Sequence, residues 1–585
     1  MIPGAQRTVG GFESLVQLLE CRASEQATER AYVFLADNGA EQFSLTFGQL
    51  RHAAHRAAAQ VAAAAQPGDR ALLVFPPGLD FMVALFACLI AGVAAVPMMV
   101  PRRLSGRDAS AAIVADCKPR LVLTNSELAR GPRSAVLDRF APARVLVIDG
   151  ATAASAAQHP STAPLSANDL ALLQYTSGST SDPKGVMVSH GALLANLAML
   201  SSAFGSTRNS TFVSWVPLYH DMGLILNALQ ALYVGATCVL LAPTTFMHRP
   251  WRWLQAIHAY KADVAGAPNF AYDLCVDRLR PEQIGALDLS GWKVAFNGAE
   301  PVRAKTIRRF ADAFAPYGFD PRAAYPCYGM AEATVFISGG RRGAGPRTLP
   351  VSRKGLGANT ATTPENADDV HELVACGREG IGERVAIVDP ETRRRLPRMS
   401  VGEIWVAGPH VASGYWGNPD ATRLTFNAHI RGEPETIWLR TGDLGFLDAD
   451  DQVFVTGRIK DVIIIRGFNH YPQDIESTVQ GINPALRPFC GAAFCRDGDD
   501  GIVVVQELER TQRHVTNLDT IAGDAREAVS KEHELFLREI VFVQPGTLPK
   551  TTSGKIQRRL TQRLWSEGGL SIIPQAATAT VRREA

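Results

Sequence analysis

The chain has 585 residues, enough for about two to four domains of roughly 150 residues and for a large core that needs no disulfides or metals. Its composition is 46% hydrophobic, 20% charged and 8% aromatic, which excludes disordered, collagen-like and coiled-coil chains; 59 Lys and Arg against 57 Asp and Glu leave +2, too little to hold nucleic acid by its phosphates. Nine cysteines stand singly with no CxxC pair, which argues against a disulfide scaffold or zinc ribbon and fits buried free thiols in a reducing cytoplasm.

From the N-terminus, MIPGAQRTVGGFESL lacks the apolar stretch of a secretory signal. Phe81 to Val100 is a run of 20 residues without a charge, long enough to span a bilayer. However, Ala84, Ala87, Ala91, Gly92, Ala94 and Ala95 dilute its hydrophobicity and Pro97 breaks a helix, so the run predicts a buried helix, a turn at Gly92 and a strand Val93 to Val96. The apolar runs 71–75, 120–124, 143–148 and 236–242 resemble buried strands, with Ala-rich amphipathic stretches between some of them. That alternation predicts an α/β protein whose sheets are largely parallel. Residues 151–168 are small, polar and Pro-containing, a surface connection inside the large domain.

The segment LLQYTSGSTSDPKGVMVSHGALLANL runs from a strand (Leu170 to Tyr175) through a loop of Ser, Thr and Gly into a strand-like GVMVS and a helix capped by Ser189. Small hydroxyl residues and glycines let backbone N–H groups close around phosphate oxygens, and Lys184 adds positive charge. The P-loop pattern is absent, since Gly178 is followed by STSDPKG. A mere surface turn would account for the composition of this loop but not for the order of its flanks. A second connection, roughly 340–375, carries Pro346, Pro350 and Pro364; a connection of that length is usually functional or disordered. After Gly457 the texture changes at RIKDVIIIRG, which predicts a large domain 1–459 and a small α+β domain 460–585 ending in a frayed tail from Ser571.

TSGSTSDPKG resembles the phosphate loop of the adenylate-forming superfamily of acyl-CoA synthetases, nonribosomal peptide adenylation domains and luciferases. VPLYHDMGL (216–224), FNGAEP (296–301), YGMAEAT (328–334), RTGDLGF (440–446), GRIKDVIIIRG (457–467) and PKTTSGKIQRR (549–559) follow in that family's order. Within it, GFNHYPQDIE (467–476), the YHDMG form of the His motif and QYTSGST look like fatty acyl-AMP ligases. The 340–375 connection lies where those ligases carry an insertion that acyl-CoA synthetases lack.

The resemblance implies a role for each motif. Thr176, Ser177, Gly178, Ser179, Thr180 and Lys184 hold the β and γ phosphates of ATP, with Mg²⁺ near Thr180 and Glu332. Asn297, Gly298, Ala299 and Glu300, with Tyr328, Gly329 and Met330, form the strip against adenine; Asp443 accepts from the ribose hydroxyls and Arg458 reaches ribose or phosphate. His220 orients or gates the fatty carboxylate while Asp221 holds its ring, and Tyr219, Gly223, Leu226, Ala267, Asn269 and Phe270 wall the acyl chain. Lys555 bridges the α-phosphate and the attacking carboxylate. It lies about 95 residues beyond Lys460, a small domain's length away, so it reaches the phosphates only if that domain docks over the cleft and leaves by rotation about Lys460. Bland readings compete: Glu332 as a solvated acid, Asp443 as a turn former, Arg458 as a solvated linker residue. Arg558, Arg559 and Arg563 read as a basic face that is solvated or meets an acidic carrier, and Asp182 as pointing to solvent.

The implied activity is a cytoplasmic one: ATP-dependent conversion of a medium- to long-chain fatty acid into acyl-adenylate, then transfer to the phosphopantetheine thiol of an acyl carrier protein or carrier domain. A long-chain fatty acyl-CoA synthetase differs only in the final thiol. A non-catalytic module that binds acyl-AMP or a carrier is disfavoured by the retained Lys555, Glu332, Asp443 and TSGST loop. If the 340–375 insertion packs on the small domain, it opposes the rotation that admits a thiol.

Overall fold

The charge-free run folds as a helix Asp80–Ile90, buried throughout from Phe81, a turn in which Gly92 takes φ +68°, and a strand Ala94–Met98. Gly92 adopts the left-handed conformation without a Cβ penalty, so the helix ends there. Among the described residues no helix is long and apolar enough to cross a membrane. The structure is a computed structural model and describes residues 11–101, 109–150, 165–176, 183–280, 282, 285–496, 501–512, 517–551 and 554–574.

Ala94–Met98 belongs to a six-stranded sheet ordered Arg144–Val147, Leu121–Thr124, Arg70–Val74, Ala94–Met98, Leu170–Thr176, Lys184–Ser189. The first five strands run parallel and the last is antiparallel to Leu170–Thr176, with Thr176 opposite Lys184. The Ser/Thr/Gly loop is therefore the connection of a hairpin at the sheet's end. Ser177, Gly178, Ser179, Thr180 and Asp182, like most of the 151–168 connection, lie outside the described residues. The helix that follows, His190–Phe204, is capped by Ser189, whose hydroxyl accepts from the Ala192 N–H.

A nine-stranded sheet has a parallel centre in which Ala324–Tyr328, Val294–Asn297, Val264–Gly266, Thr211–Ser214, Thr237–Leu241 and Arg30–Leu35 lie side by side. FNGAEP and YGMAEAT leave the carboxyl ends of adjacent strands, the edge at which parallel sheets bind ligands. A third, antiparallel sheet contains Gly402–Ala407, Glu433–Leu447 and Val453–Arg458, and its register sets Asp443 opposite Arg458.

The C-terminal part has, among the described residues, a strand pair Ile463–Ile465 and Phe468–His470 and a three-stranded sheet of Leu486–Cys495, Ile502–Leu508 and Leu537–Val543, with helices Pro472–Gly481, Leu518–His533 and Arg558–Ser566. Ile475, Val504, Ile521, Ile540 and Phe542 belong to a core separate from that of the large sheets.

Two expectations are corrected, for the tail and for Arg558, and the 340–375 connection is given a structure: Thr348–Ser352 pairs antiparallel with Val370–Val374, joined through the short helix Arg353–Gly357. Val351, Leu356 and Ala361 pack there with Phe446, Phe454 and Tyr471, so this hairpin buries apolar residues as a strand pair does. The tail is not frayed at its start, because Ile572 bridges to Val543 and the Ile573 N–H donates to Phe542 O at 2.8 Å; its last eleven residues lie outside the described ones. Arg558 is not solvated: its guanidinium grips both carboxylate oxygens of Glu476, at 2.6 and 2.8 Å, and reaches Asp461 at 3.4 Å. Arg559 donates to Lys460 O at 2.9 Å, so these two side chains tie the last helix to the start of the small domain.

Candidate active site

The glycines of the two strand-end motifs are explained by packing. A Cβ on Gly298 would lie 2.8 Å from Cys327 O, and one on Gly329 would lie 1.8 Å from Val335 O. Gly298 thus lets the two strand ends approach each other, and Ala299 next to it takes φ +69°. Two acceptors in this turn, Asn297 Oδ1 and Glu300 Oε1, are buried without a hydrogen-bond partner. Met330, which precedes the Ala331–Ala333 turn, is partly buried against the main core.

Asp443 is only 5% exposed. Tyr328 donates its hydroxyl to Asp443 Oδ2 at 2.8 Å, and Arg458 Nε lies 2.9 Å from Oδ1. Burial pushes the Tyr328 phenol well up, and the neighbouring Asp443 charge adds to it. The charge of Asp443 raises the Arg458 guanidinium against its desolvation, so that group stays charged. Arg458 is therefore not a free linker cation. The register of the third sheet brings the pair together, and the end of the Ala324–Tyr328 strand supplies the phenol.

Lys555 comes from the small domain into the same cleft. Its ammonium is pushed below the usual lysine range, first by desolvation among the surrounding protein atoms and then by Arg458; Asp221, Glu300 and Asp443 oppose the shift. The side chain itself is exposed to solvent. Lys460 is shifted the same way, by burial and then by Lys184, Arg559 and Arg458. Four cations from three motifs, Lys184, Arg458 with Lys460, and Lys555, are thus linked by repulsion, the state an anionic ligand relieves.

His220 is anchored by its neighbour, with Nδ1 2.7 Å from Asp221 Oδ1, and the Met222 N–H donates to the same carboxylate at 2.6 Å. Burial raises the Asp221 carboxyl, but the charge and hydrogen bond of His220, then Lys555 and the Met222 N–H, outweigh it and hold the group below the usual carboxylate range. With Nδ1 engaged, Nε2 is the nitrogen left for other work.

Glu332 is 9% exposed, and Oε1 accepts from the Tyr415 hydroxyl at 2.9 Å. Burial raises its carboxyl, against Tyr415 and Arg458. Lys184 Nζ sits 4.6 Å from the centre of the Tyr415 ring, a cation–π contact. Tyr415 therefore stands between the lysine that closes the phosphate-loop hairpin and the buried acid. The sequence reading missed it. Its only local signal is an aromatic between glycines in SGYWGNP, and its segment reaches the site by pairing with the Lys184–Ser189 strand, through Met187 N to Gly414 O and Ser413 N to Met187 O at 2.9 Å each.

On the acyl side, Met222–Leu229 is a π-helix, buried throughout, whose slack Met222 carbonyl accepts from Asn227 Nδ2 at 2.8 Å. Gly223 is there for backbone approach, since a Cβ would lie 2.2 Å from Pro217 O. Leu226 is 2% exposed and Ala267 fully buried. Phe270 meets the edge of Trp215, which stacks on Phe246 at 3.8 Å, and Tyr219 O accepts from Gln174 Nε2 in the strand that leads to Thr176. Asn269 departs from the wall role expected of it. Its side chain donates to Pro301 O and accepts from Asn297 Nδ2 and the Arg303 N–H, so it holds the 297–303 turn instead.

The insertion touches the small domain. Arg353 pairs with Glu532 at 2.8 Å, Lys354 with Glu534 at 4.0 Å, His371 with Asp474 at 3.8 Å, and Asn469 Nδ2 donates to Asn359 Oδ1 at 2.7 Å.

Residues 19–416 match the family described as AMP-binding enzyme, and residues 460–575 match the AMP domain of Disco-interacting protein 2-like proteins. The medium-chain-fatty-acid acyl-carrier-protein ligase JamA of Moorena producens is 41% identical over 571 residues, 96% of each chain. A solved structure from work on fatty acyl-adenylate ligases of E. coli and L. pneumophila superposes with a TM-score of 0.85 at 30% identity, covering 96% of this chain and 99% of that one. The L. pneumophila fatty acyl-adenylate ligase in complex with acyl adenylate and pyrophosphate gives 0.73 at 36% identity, over 95% and 97%. The ordered motifs, the cleft they share and these likenesses place the chain in the AMP-binding enzyme family, on its fatty acyl-AMP ligase branch.

Proposed function

We propose that the chain condenses a medium- to long-chain fatty acid with ATP to give acyl-adenylate and pyrophosphate, and passes the acyl group to the phosphopantetheine thiol of a carrier protein in the cytoplasm. The observation that carries this reading is that Lys555, a cation of the small domain, feels the charges of Arg458, Asp221, Glu300 and Asp443 of the large domain.

The residues fit the ligands. Asn297 Oδ1 and Glu300 Oε1 are orphaned acceptors, and the exocyclic amine of adenine is a donor of the kind they lack. Asp443, already fixed by Tyr328 and Arg458, is held still for the ribose hydroxyls. Glu332 is a buried carboxyl short of positive charge, which suits Mg²⁺, an ion that takes one or two carboxylates and leaves its other positions to water and phosphate oxygens. When bound there with Thr180, the ion supplies charge neutralisation at the phosphates. Lys184 faces the same acid across Tyr415.

In the first step a carboxylate oxygen forms a bond to the α-phosphorus and the bond to the bridging oxygen of pyrophosphate breaks. Two anions must meet, so the chain's work is positive charge and in-line placement. Lys555 supplies the charge between them, and His220, its ring fixed through Nδ1, orients the fatty carboxylate. In the second step a thiol sulfur attacks the acyl carbon and AMP leaves. That step needs Lys555 withdrawn, by rotation of the small domain about Lys460.

Two results follow for the reaction itself. Because Lys555 titrates below the usual lysine range, raising pH removes its charge early. The alkaline limb of kcat/KM for adenylation should fall below the lysine range and be absent from Lys555→Arg; a limb unchanged in that variant contradicts the assignment. For the acyl wall, each buried methylene contributes about 0.8 kcal/mol. Leu226→Trp should therefore shift the preferred fatty acid to a shorter chain, and an unchanged chain-length profile contradicts the placement. The acceptor is tested by offering preformed acyl-AMP to a phosphopantetheinylated carrier protein and to free CoA and weighing the products. Acyl-carrier should dominate; efficient acyl-CoA formation with an idle carrier overturns that part.

A further inference from the structure

Glu332 lies in the three-residue turn Ala331–Ala333, and the chain then reverses at Thr334, with φ 67° and ψ −62°. The Val335 N–H donates to Ala333 O at 2.8 Å across it. This is a γ-turn of the rare, strained hand, with a β-branched residue at its centre. Glycine is the residue such a turn invites, yet the chain places a fully buried threonine there.

The hydroxyl has a partner: Thr334 Oγ1 donates to His410 O at 2.6 Å. The Ala412 N–H donates to Glu332 O at 3.0 Å, and Tyr415 holds the carboxylate. Two residues beyond the turn, Asn196 clasps Phe336, accepting its N–H at 3.1 Å and donating to its carbonyl at 2.8 Å. A strained turn next to a site carboxylate, fastened on both sides, is the form in which local strain serves a site.

We propose that Thr334 is a positioning residue: its hydroxyl holds the strained turn against the 410–415 segment and so aims the Glu332 carboxylate at the Tyr415 hydroxyl, with Lys184 on the ring of that tyrosine. The inference rests on Glu332 serving the Mg·ATP site. Thr334→Gly removes the hydroxyl and relieves the strain, whereas Thr334→Ser keeps the hydroxyl; both are compared with the parent, with Glu332→Gln and with the Thr334→Gly/Glu332→Gln double variant. The measurements are the thermal midpoint of the free protein, Mg·ATP affinity by calorimetry, and fatty-acid-dependent ATP–pyrophosphate exchange across a Mg²⁺ series.

Thr334→Gly should melt close to the parent, relief of the strain offsetting the lost hydroxyl bond and burial, yet bind Mg·ATP more weakly and lose roughly ten- to a hundredfold in exchange, the scale of a misplaced group. Thr334→Ser should recover most of that loss, and Thr334→Gly should cost little more once Glu332 is gone. The inference is overturned if Thr334→Gly exchanges like the parent, if it melts well below the parent with activity falling in step, or if its loss multiplies fully with that of Glu332→Gln. A Glu332→Gln variant that exchanges like the parent overturns the role of Glu332 itself, and the inference with it.

Discussion

Lys555→Ala should lower acyl-AMP formation by about 10²- to 10³-fold, the usual cost of removing one preorganised electrostatic contact, while transfer from supplied acyl-AMP to a thiol falls far less. The asymmetry follows from geometry. Lys555 reaches the cleft because the small domain is docked, and there it faces Asp221, Glu300 and Asp443 beside Arg458. Its side chain is open to solvent and on a loop, so its removal leaves the small-domain core of Ile475, Val504 and Phe542 intact. Rapid-quench measurement of each half-reaction checks this, and equal losses in both would sink the assignment.

Breaking the contacts between the insertion and the small domain should release the rotation. Removing residues 347–369 outright is the wrong variant, because Val351, Leu356 and Ala361 help to cover Phe446 and Phe454. Arg353→Ala, Lys354→Ala and Asn359→Ala together keep that core and cut the bonds to Glu532, Glu534 and Asn469. Partly exposed ion pairs contribute roughly 0.2–1 kcal/mol each and a hydrogen bond about 0.5–1.5. Together they amount to roughly 4- to 300-fold in the balance between arrangements, at about 1.4 kcal/mol per tenfold. Adenylation should stay near the parent's and acyl-CoA should become measurable. If the variant adenylates but still ignores CoA, the block lies in a missing CoA-binding surface and not in domain motion.

Local signals were legible wherever one residue type settles a backbone question. Gly92 ended the buried helix, Ser189 capped the helix His190–Phe204, and the order of apolar and Ser/Thr/Gly segments placed the phosphate loop between two strands. What was hidden depends on partners distant in sequence. Tyr415 is an ordinary aromatic until strand pairing sets it between Lys184 and Glu332. Asn269 looked like a pocket wall because its neighbours are apolar, but its amide is spent on the 297–303 turn. Arg558 read as solvated because charge near a helix start usually is; Glu476 and Asp461, which neutralise it, come from the beginning of the small domain. The hairpin at 348–374 was masked by its prolines, and its apolar residues face strands that lie elsewhere in the chain.

The central claim, that this cleft joins a fatty carboxylate to the α-phosphate of ATP, is tested most directly by ATP–pyrophosphate exchange with Mg²⁺ and a series of free fatty acids from about C6 to C20, a range over which each methylene contributes about 0.8 kcal/mol of burial. The account predicts exchange that requires the fatty acid, rises steeply with chain length to a limit set by the pocket, and collapses in Lys555→Ala. Exchange with none of these acids, by folded protein that binds Mg·ATP, would contradict it.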